Sequence, residues 1–352
     1  MRRDEREGKR VRVLFQSRPD ILTLPAGDTI QLFETMQHLR RLGVHIDHSG
    51  ELHPPLDGYD LVHLFNITRI AETRVQCDNA VAQGKPVVIS TIYWNMEEYF
   101  EREETRHAAD LLKWWKRDNA YRAETLKKAS LLLPNAVSEM ELIKKDFGVD
   151  RPYRVVPNGA DPGFGDAKAS EFVAEYGVDK IILCVGRISP RKNQLAVVKA
   201  LRCVDIPLFF IGSVNDPFYL ELCRKHAGPH VRFVTHMPHS RLASAYKAAK
   251  VHVLASWYDT PGLASLEAAV AGCNIVSTNR GTAREYFGDL AWYCDPADPD
   301  SIRRAVLDAY ESAPRSALVD VVKREFTWER AAQVTLEAYR TVMMSTSMMM
   351  SG

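Results

Sequence analysis

Two basic and two acidic residues in the second half of the chain have the types and spacing to bind a charged ligand rich in hydroxyl groups. Arg187 and Lys192 follow the apolar run KIILCVG. Asp259 and Glu267 lie on either side of the turn Thr260-Pro261-Gly262. Because cations neutralise phosphate oxygens and carboxylates accept hydrogen bonds from hydroxyl groups, these residues predict a clamp for a sugar nucleotide.

The segment from Gly186 to Lys192 is predicted to bind the diphosphate. The apolar residues before Gly186 predict a buried strand, whose carboxyl end brings Arg187 to the sheet edge where open α/β folds bind ligands. Pro190 predicts a helix start shortly afterwards, where backbone amides attract anions and unpaired cations are disfavoured. We therefore favour phosphate binding by Arg187 and Lys192 over the alternative that both are ordinary surface charges.

The sequence around Glu267 favours a functional role for that carboxylate, whereas the sequence around Asp259 leaves the role of its carboxylate open. Glu267 lies between Leu266 and Ala268 in the predicted helix LASLEAAVAG, and a carboxylate in such an apolar setting needs a partner. Asp259 precedes a turn, where an ordinary capping or turn role explains an aspartate equally well. Gly262, directly before the helix, allows backbone amides to approach a phosphate closely.

The elements that would position these residues alternate along the chain. Short apolar runs such as VRVLF, DLVHLF and PVVIS alternate with helical patterns, and the second half repeats this alternation from KIILCVG onward. Continuous apolar runs predict strands buried on both faces, and their alternation with helices predicts parallel sheets. The sequence therefore predicts an α/β protein with two doubly wound sheets in tandem.

Helical spacing and breaker residues predict the bounds of the main elements. Helices are predicted over residues 28–42, 70–82, 97–128, 137–147, 193–203, 217–226, 240–249, 263–271, from about 301, and over 328–342. The segment RVVPNGADPGF is predicted to be a strand followed by a turn, and to cross between two domains. The final MMSTSMMMSG has neither charge nor a fixed pattern and is predicted to be disordered.

Length and composition restrict the function classes. A chain of 352 residues exceeds one usual hydrophobic core, so two domains with a cleft between them are expected. The formal net charge of +1 argues against a nucleic-acid-binding surface, and six cysteines without CxxC spacing indicate a reduced, cytoplasmic compartment. The amino terminus passes from MRRDEREGKR directly into a predicted strand, and no long apolar run exists, so we expect neither export nor a membrane span.

The motifs resemble those of the retaining glycosyltransferases of family four. The resemblance rests on VGRISPRKNQ, the PNGAD turn and SWYDTPGLASLEAAVAGCNIVSTNRGTAREYFGD, and it extends weakly over the first half. It implies the GT-B fold, in which two Rossmann-like domains face a central cleft. The expected divisions are an acceptor-binding domain over residues 1–158, a donor domain over 159–325, a helix over 326–342 that crosses back to the first domain, and a disordered tail over 343–352.

The resemblance also implies roles for individual residues. Arg187 and Lys192 would bind the donor diphosphate, Glu267 the nucleotide ribose, and Asp259 hydroxyls of the transferred sugar. Gly186, with the amides around Gly262 and Leu263, would complete the phosphate cradle. A hexose-type sugar would pass to the hydroxyl of a glycan or lipid-linked acceptor, without a metal or other cofactor, in surface polysaccharide or glycoconjugate synthesis.

Three departures from the family pattern concern the site. Asp259-Thr260-Pro261 stands where the family has Glu followed by Gly and an aromatic residue. Only Gly27, before the capping candidates Asp28 and Thr29, represents the family's glycine pair in the first βα loop, so Gly27 would be the donor-binding glycine there. The family's histidine after the fourth strand is absent, so Tyr93, Trp94 or Asn95 of STIYWNMEE would have to replace it.

Other residues with chemical potential have simpler explanations. His236 and His239 form an HxxH pair without a nearby acidic or cysteine ligand, so a metal site is not expected. His63 is at least as well explained as a core histidine as by a place in the cleft. Trp114 and Trp115, among Lys and Arg residues, could contact anionic lipid at the inner membrane face, but a solvated helix with Trp in the core is slightly preferred.

Two alternatives to a transferase remain open at this stage. The departures at Asp259 and Thr260, with the absent histidine, suggest a non-catalytic subunit that binds a nucleotide or glycan. Retention of both cations and Glu267 argues against it. A sugar-nucleotide epimerase of the same fold would need acid and base carboxylates, for which the sequence offers no clear pair.

Overall fold

Buried apolar runs form two separate parallel sheets, as the sequence predicts. The structure is a computed structural model that describes residues 11–102, 108–235 and 237–350. The chain divides into a first unit, made of the described residues up to Pro157 and from Trp328, and a second unit, Asn158–Thr327.

The first unit contains five described parallel strands in the order β2-β1-β3-β4-β5. The strands are β1 (Arg12–Gln16), β2 (His45–Ser49), β3 (Leu61–Phe65), β4 (Val87–Ser90) and β5 (Leu131–Leu133). Between and after them lie α1 (Gly27–Arg41), α2 (Ile70–Ala82), α3 (Glu97–Arg102), α4 (Ala108–Lys128) and α5 (Val137–Phe147). All five residues of β3 are buried, which agrees with the continuous apolar pattern of a central strand.

The second unit contains six described parallel strands in the order β11-β10-β9-β6-β7-β8. The strands are β6 (Ile181–Val185), β7 (Leu208–Ile211), β8 (Val231–Val234), β9 (Ala249–Leu254), β10 (Asn274–Thr278) and β11 (Trp292–Cys294). The helices are α6 (Ser170–Tyr176), α7 (Gln194–Ala200), α8 (Pro217–His226), α9 (His239–Ala248), α10 (Leu263–Ala271), α11 (Ala283–Phe287), α12 (Pro299–Glu311) and α13 (Ser316–Glu325). The strand order reverses direction between β6 and β9, so this unit is doubly wound.

Two predicted elements between residues 97 and 157 differ from the structure. The predicted helix over 97–128 is described as α3 and α4, and residues 103–107 lie outside the described part of the chain. The predicted strand in RVVP is not a strand, although the backbone of Arg154 and Val156 donates to carbonyls of Leu132 and Pro134 beside β5. Pro152 and Pro157 have no backbone N–H and so limit this pairing, which leaves one isolated bridge at Tyr153.

The last helix, α14 (Trp328–Met350), belongs to the first unit and packs along α1. The prediction that residues 343–352 are disordered is wrong for 343–350, where α14 continues; residues 351–352 lie outside the described part. No Gly or Pro interrupts Trp328–Met350, and methionine is a good helix former. The hydroxyls of Ser345 and Thr346 donate to carbonyls one turn back, at Thr341 and Val342, a pattern that forms within a helix.

A buried hydrogen bond joins α14 to the centre of the first sheet. His63, on β3, has its Nδ1 2.6 Å from the Tyr339 hydroxyl and its Nε2 2.9 Å from Ser90 Oγ. Burial lowers the pKa of His63 to about 3, so the imidazole is neutral. His63 is therefore a satisfied core histidine, the simpler of the two interpretations that the sequence allowed.

Tyr339→Phe is expected to destabilise the first unit by about 1–3 kcal/mol, because it leaves one buried nitrogen of His63 without a partner. Denaturant unfolding of the full chain measures the change. Tyr121→Phe, which removes a hydroxyl from a tyrosine that is 38% exposed on α4, is the matched control. Equal stability of the two variants would show that the His63 contact adds nothing to the packing of α14.

Candidate functional site

The predicted clamp residues follow the two strands between which the order of the second sheet reverses. β6 and β9 are neighbours, with Leu183 opposite His252, and the loops that follow them leave the same edge of the sheet. Arg187 and Lys192 lie after β6, whereas Asp259 and Gly262 lie after β9. Ligands of open α/β folds bind in the crevice at such a reversal.

Close backbone contact shapes the loop after β6. Gly186 donates its N–H to Ile211 O at 2.9 Å, and a Cβ on Gly212 would lie 2.2 Å from Gly186 O. Gly212 therefore has no room for a side chain, and its glycine lets the loops after β6 and β7 touch. Gly212 was not among the residues predicted from the sequence, although PLFFIG repeats the pattern of KIILCVG, in which a glycine follows a strand.

The helix predicted from Asn193 begins one residue later and is shorter than predicted. Pro190–Lys192 forms a single 3-10 turn, Asn193 has φ of 61°, and α7 runs only from Gln194 to Ala200. The left-handed conformation of Asn193 ends the turn, and its side-chain amide donates to Ala255 O at 3.0 Å and Pro296 O at 2.8 Å. Lys192 consequently lies in a turn that the loop after β9 supports, and not in the first turn of an α-helix.

Further contacts join the turn after β6 to the loop after β9. Trp257 donates its N–H to Arg191 O at 3.0 Å, and Arg191 Nη1 donates to Tyr258 O at 2.8 Å. Gln194 holds the other side of the turn by donating to Arg187 O at 2.9 Å. These bonds fix the backbone on both sides of Lys192.

Lys192 and Asp259 form a buried ion pair. Lys192 Nζ lies 2.7 Å from Asp259 Oδ1 and 3.0 Å from Oδ2, and Arg191 Nη1 lies 4.0 Å from Oδ1. The side chains of Lys192 and Asp259 are only 14% and 9% exposed. Burial acts to raise the pKa of Asp259, but the charges of Lys192 and Arg191 outweigh it and hold that pKa below its ordinary value. Burial lowers the pKa of Lys192, which the carboxylate opposes.

The loop after β10 fixes the backbone of Asp259. Thr282 donates its N–H to Asp259 O at 3.1 Å. Gly281 has φ of +83°, and a Cβ there would lie 2.1 Å from Asp259 O. Only glycine fits so close to this carbonyl, so Gly281 and Thr282 together set the position from which the Asp259 carboxylate extends.

Gly262 forms the turn before α10, as predicted. Its φ is 94°, and a Cβ would lie 2.6 Å from Leu254 Cδ2, so glycine is required on both conformational and steric grounds. α10 then begins at Leu263. The PNGAD turn supports this loop, because Asn158 Nδ2 donates to Thr260 O at 3.0 Å.

Glu267 is buried in α10 and has a partner that the sequence did not reveal. The Tyr246 hydroxyl, from α9, donates to Glu267 Oε2 at 2.9 Å, and Tyr246 is fully buried. Burial and the Glu267 charge raise the pKa of the Tyr246 phenol well above its ordinary value. Tyr246 therefore orients the carboxylate as a permanent hydrogen-bond donor.

His252, on β9, lies between the last residue of β6 and the first turn of α10. Val185, the last residue of β6, directs its N–H at His252 Nε2 from 3.4 Å, and Ser265 Oγ, in the first turn of α10, lies 3.4 Å from Nδ1. Burial, with a contribution from Lys192, lowers the pKa of His252 to about 3, so the ring is neutral. No sequence spacing distinguishes His252 from its apolar neighbours on β9.

The predicted residues of the first unit lie in different surroundings. Gly27 opens α1, is exposed, and has no atom within 4 Å of an ideal Cβ, so nothing in this unit requires a glycine there. Thr29 accepts the N–H of Ala26 and so caps α1 as expected, whereas Asp28 pairs with Arg18 at 2.9 Å. The donor-binding role of Gly27 stays a prediction.

Tyr93 and Asn95, two of the three candidates to replace the family histidine, are hydrogen-bonded within the first unit. Tyr93 is fully buried, and its hydroxyl donates to Asp146 Oδ2 at 2.8 Å. Asn95 donates to the same oxygen at 2.9 Å. A buried tyrosine held in this way is part of the core, so of the three candidates Tyr93 is the least suited to contact a ligand.

Metal and membrane predictions concern other parts of the chain. The described residues hold no group of three or more His, Cys, Asp or Glu side chains placed to bind a metal. His236 of the HxxH pair lies outside the described residues. No helix in the described ranges is both long and apolar enough to span a bilayer.

The second unit matches a known family. Residues 167–320 match the model described as "Glycosyl transferases group 1". Curated relatives include O-antigen chain mannosyltransferase B of Escherichia coli, 27% identical over 45% of this chain and 45% of that protein. D-inositol 3-phosphate glycosyltransferase of Paenarthrobacter aurescens is 28% identical over 60% and 57%, and glycogen synthase of Mycobacterium tuberculosis is 33% identical over 45% and 42%. The chain thus spans about half the length of the curated relatives it matches.

Solved structures resemble the whole chain. Sucrose-phosphate synthase from Thermosynechococcus elongatus has a TM-score of 0.80 at 17% identity, covering 96% of this chain and all of that one. Anabaena HepE in complex with UDP has a TM-score of 0.72 at 15% identity, covering 94% and 100%. With the two parallel sheets, these similarities confirm the predicted GT-B fold.

Proposed function

We propose that this chain, a GT-B protein whose residues 167–320 match the model described as "Glycosyl transferases group 1", is a retaining glycosyltransferase. It would move a hexose-type sugar from a nucleoside diphosphate to an acceptor hydroxyl. The observation that carries the proposal is that Arg187 and Lys192 follow β6, while Gly262 and Glu267 follow β9, its neighbour at the strand reversal. Cations, backbone amides and a buried carboxylate at one sheet edge suit a diphosphate and a ribose.

The proposed reaction breaks the bond between the anomeric carbon of the sugar and the phosphate oxygen. Negative charge grows on the departing diphosphate, and fixed cations and amides stabilise that charge more in the transition state than in the bound donor. Arg187 and Lys192 supply the cations, and the amides around Gly262 and Leu263 complete the cradle with Gly186. The acceptor oxygen bonds to the anomeric carbon on the face that the phosphate leaves, and its proton passes to the departing phosphate.

No metal or other cofactor is included in the proposed reaction, because the two cations can neutralise the leaving group. Full turnover after dialysis against a chelator would support this, whereas loss of turnover that Mg²⁺ or Mn²⁺ restores would contradict it.

A nucleotide-sugar panel tests the proposed function. A cognate donor raises the melting temperature of the purified chain by mass action, and slow hydrolysis or transfer then releases nucleoside diphosphate. Stabilisation with turnover supports a transferase. Stabilisation without release of diphosphate, with any acceptor offered, would favour the non-catalytic subunit that the Asp259-Thr260 departure and the absent histidine suggest. No stabilisation by any nucleotide would contradict both.

We propose a glycan or lipid-linked acceptor and a role in surface polysaccharide or glycoconjugate synthesis. The relative from Escherichia coli is an O-antigen chain mannosyltransferase, which supports this class of acceptor. A cytoplasmic location agrees with the cysteines, since all six are free thiols and five are buried. Extraction from cells in the soluble or peripheral membrane fraction would test the location.

We further propose that α4 contacts anionic lipid at the membrane surface. Trp115 is fully buried against the Arg122 guanidinium, 3.8 Å from its ring, so the core interpretation holds for this residue. Trp114 is 40% exposed, and the exposed Lys113, Lys116 and Arg117 lie beside it in the helix. An exposed indole with neighbouring cations suits the interface of an anionic bilayer.

Trp114→Ala is expected to lower the vesicle-bound fraction about threefold or more, because it removes an exposed indole that would enter the membrane interface. Sedimentation with vesicles of phosphatidylcholine, with and without phosphatidylglycerol, measures it. Phe218→Ala, at a phenylalanine that is 89% exposed in the second unit, is the control. Binding that is equal for both variants, or equal for both vesicle types, would contradict the proposed contact.

A further inference from the structure

The contacts of Asp259 identify a role for this residue within the donor site, an inference that rests on the proposed function. By resemblance, the first acidic residue of the pair would bind hydroxyls of the transferred sugar. In the structure both of its carboxylate oxygens lie within 3.0 Å of Lys192 Nζ. Arg191, on the same turn as Lys192, is the next cation at 4.0 Å.

A lysine at a phosphate site needs an anchor if its charge is to act from one place. The ammonium is a point charge on a flexible four-carbon stem, so burial alone does not choose its rotamer. Asp259 can choose it, because the backbone of Asp259 is itself fixed. The Thr282 N–H bonds to its carbonyl, and Gly281 packs so closely that no side chain fits between them.

The length of the aspartate side chain agrees with this role. The backbone on both sides of the ion pair is joined by the bonds of Arg191 to Trp257 and Tyr258, which set the separation of the two loops. At that separation an aspartate reaches Lys192 Nζ at 2.7 Å. A glutamate is one methylene longer and would push the ammonium from its present position or fold away from it.

We propose that Asp259 is a positioning residue that holds the ammonium of Lys192 in place against the donor diphosphate, and that its effect on the reaction passes through Lys192. The carboxylate acts as a fixed counter-charge. It holds the ammonium slightly away from the diphosphate of the bound donor. The ammonium therefore interacts more strongly with the charge that develops on the diphosphate when the sugar–phosphate bond breaks.

Asp259→Asn separates this role from direct sugar binding. The isosteric amide removes the counter-charge and releases Lys192 toward the phosphates. We expect the affinity for a nucleoside diphosphate, a ligand without any sugar, to rise about threefold or more, while turnover falls about tenfold or more. Titration calorimetry with UDP, GDP and ADP, using the one that the wild type binds best, measures the affinity.

Three further variants complete the test. When Asp259→Asn is added to Lys192→Met, the diphosphate affinity of the double variant should differ less than about twofold from that of Lys192→Met alone. The reason is that the effect of Asp259→Asn requires the lysine. Asp259→Glu keeps the charge and should still lose turnover, since it displaces the ammonium. Asp205→Asn, at an exposed aspartate of the same unit, is the control for carboxylate loss, and melting temperatures establish that each variant is folded.

The outcomes distinguish this inference from the proposed function. Tighter diphosphate binding with slower turnover, abolished by Lys192→Met, supports the positioning role. Unchanged diphosphate affinity in Asp259→Asn, with weaker binding of the sugar nucleotide, would overturn it in favour of a direct sugar contact. Weaker diphosphate binding would overturn it as well. If the wild type binds no nucleoside diphosphate, the proposed function itself fails.

Discussion

Lys192→Ala is expected to lower turnover about a hundredfold or more, with a similar loss for Arg187→Ala, because each removes a cation that would donate to the charge on the departing diphosphate. Single donors of this kind contribute about 2.7–4 kcal/mol to transition-state stabilisation. The loss should be larger in turnover than in donor affinity, since the interaction strengthens as the sugar–phosphate bond breaks.

Steady-state release of nucleoside diphosphate with the cognate donor measures this effect. Lys192→Ala also leaves the Asp259 carboxylate buried without its main partner, so some loss of stability is expected and the melting temperature must accompany the rate. Lys199→Ala, at an exposed lysine on α7, is the matched control for loss of a positive charge. A folded Lys192→Ala or Arg187→Ala variant with activity within a few fold of the wild type would refute the clamp.

Glu267→Gln is expected to weaken nucleotide binding about tenfold or more, because a hydrogen bond to a charged acceptor contributes about 1.5–3 kcal/mol. The carboxylate is already oriented by the Tyr246 hydroxyl at 2.9 Å, so it can accept from ribose hydroxyls without reorganising. Glutamine is preferred to alanine, since it leaves an oxygen for the buried Tyr246 hydroxyl.

A deoxyribose analogue makes the Glu267 prediction specific. Titration calorimetry compares a nucleoside diphosphate with its 2′-deoxy and 3′-deoxy forms in the wild type and in Glu267→Gln. If Glu267 binds the ribose, the wild type should discriminate against at least one deoxy form and the variant should discriminate less. Glu311→Gln, at an exposed residue that ends α12, controls for charge. Unchanged affinity in Glu267→Gln would remove the ribose role.

The bounds of several helices could be predicted from the sequence because residues next to each helix determine where it begins and ends. α2, α5, α8 and α10 have the predicted bounds, since turn residues or helix caps flank each of them. Prediction failed where distant contacts decide the backbone. Asn193 ends a turn through bonds to Ala255 and Pro296, so α7 begins later than its spacing suggests. The tail beyond Val342 is helical as a continuation of α14, which packs on α1 in the first unit.

The order of residue types along the chain was sufficient to place Arg187, Lys192, Asp259 and Glu267 in one region. Carboxyl ends of parallel strands share an edge, so residues that follow buried apolar runs must gather there. This part of the site follows from continuous apolar runs and from helical spacing of 3.6 residues, both of which a single sequence displays.

The partners of those residues depended on the folded chain. Lys192 and Asp259 are 67 positions apart, and Tyr246 and Glu267 are 21 apart. Lys192 and Asp259 meet because β9 lies beside β6 and because Gly281 lets the loop after β10 approach the Asp259 carbonyl. Tyr246 and Glu267 meet because α9 packs against α10. Strand order and close packing arise from the sum of many long-range contacts, and no spacing within the sequence encodes them.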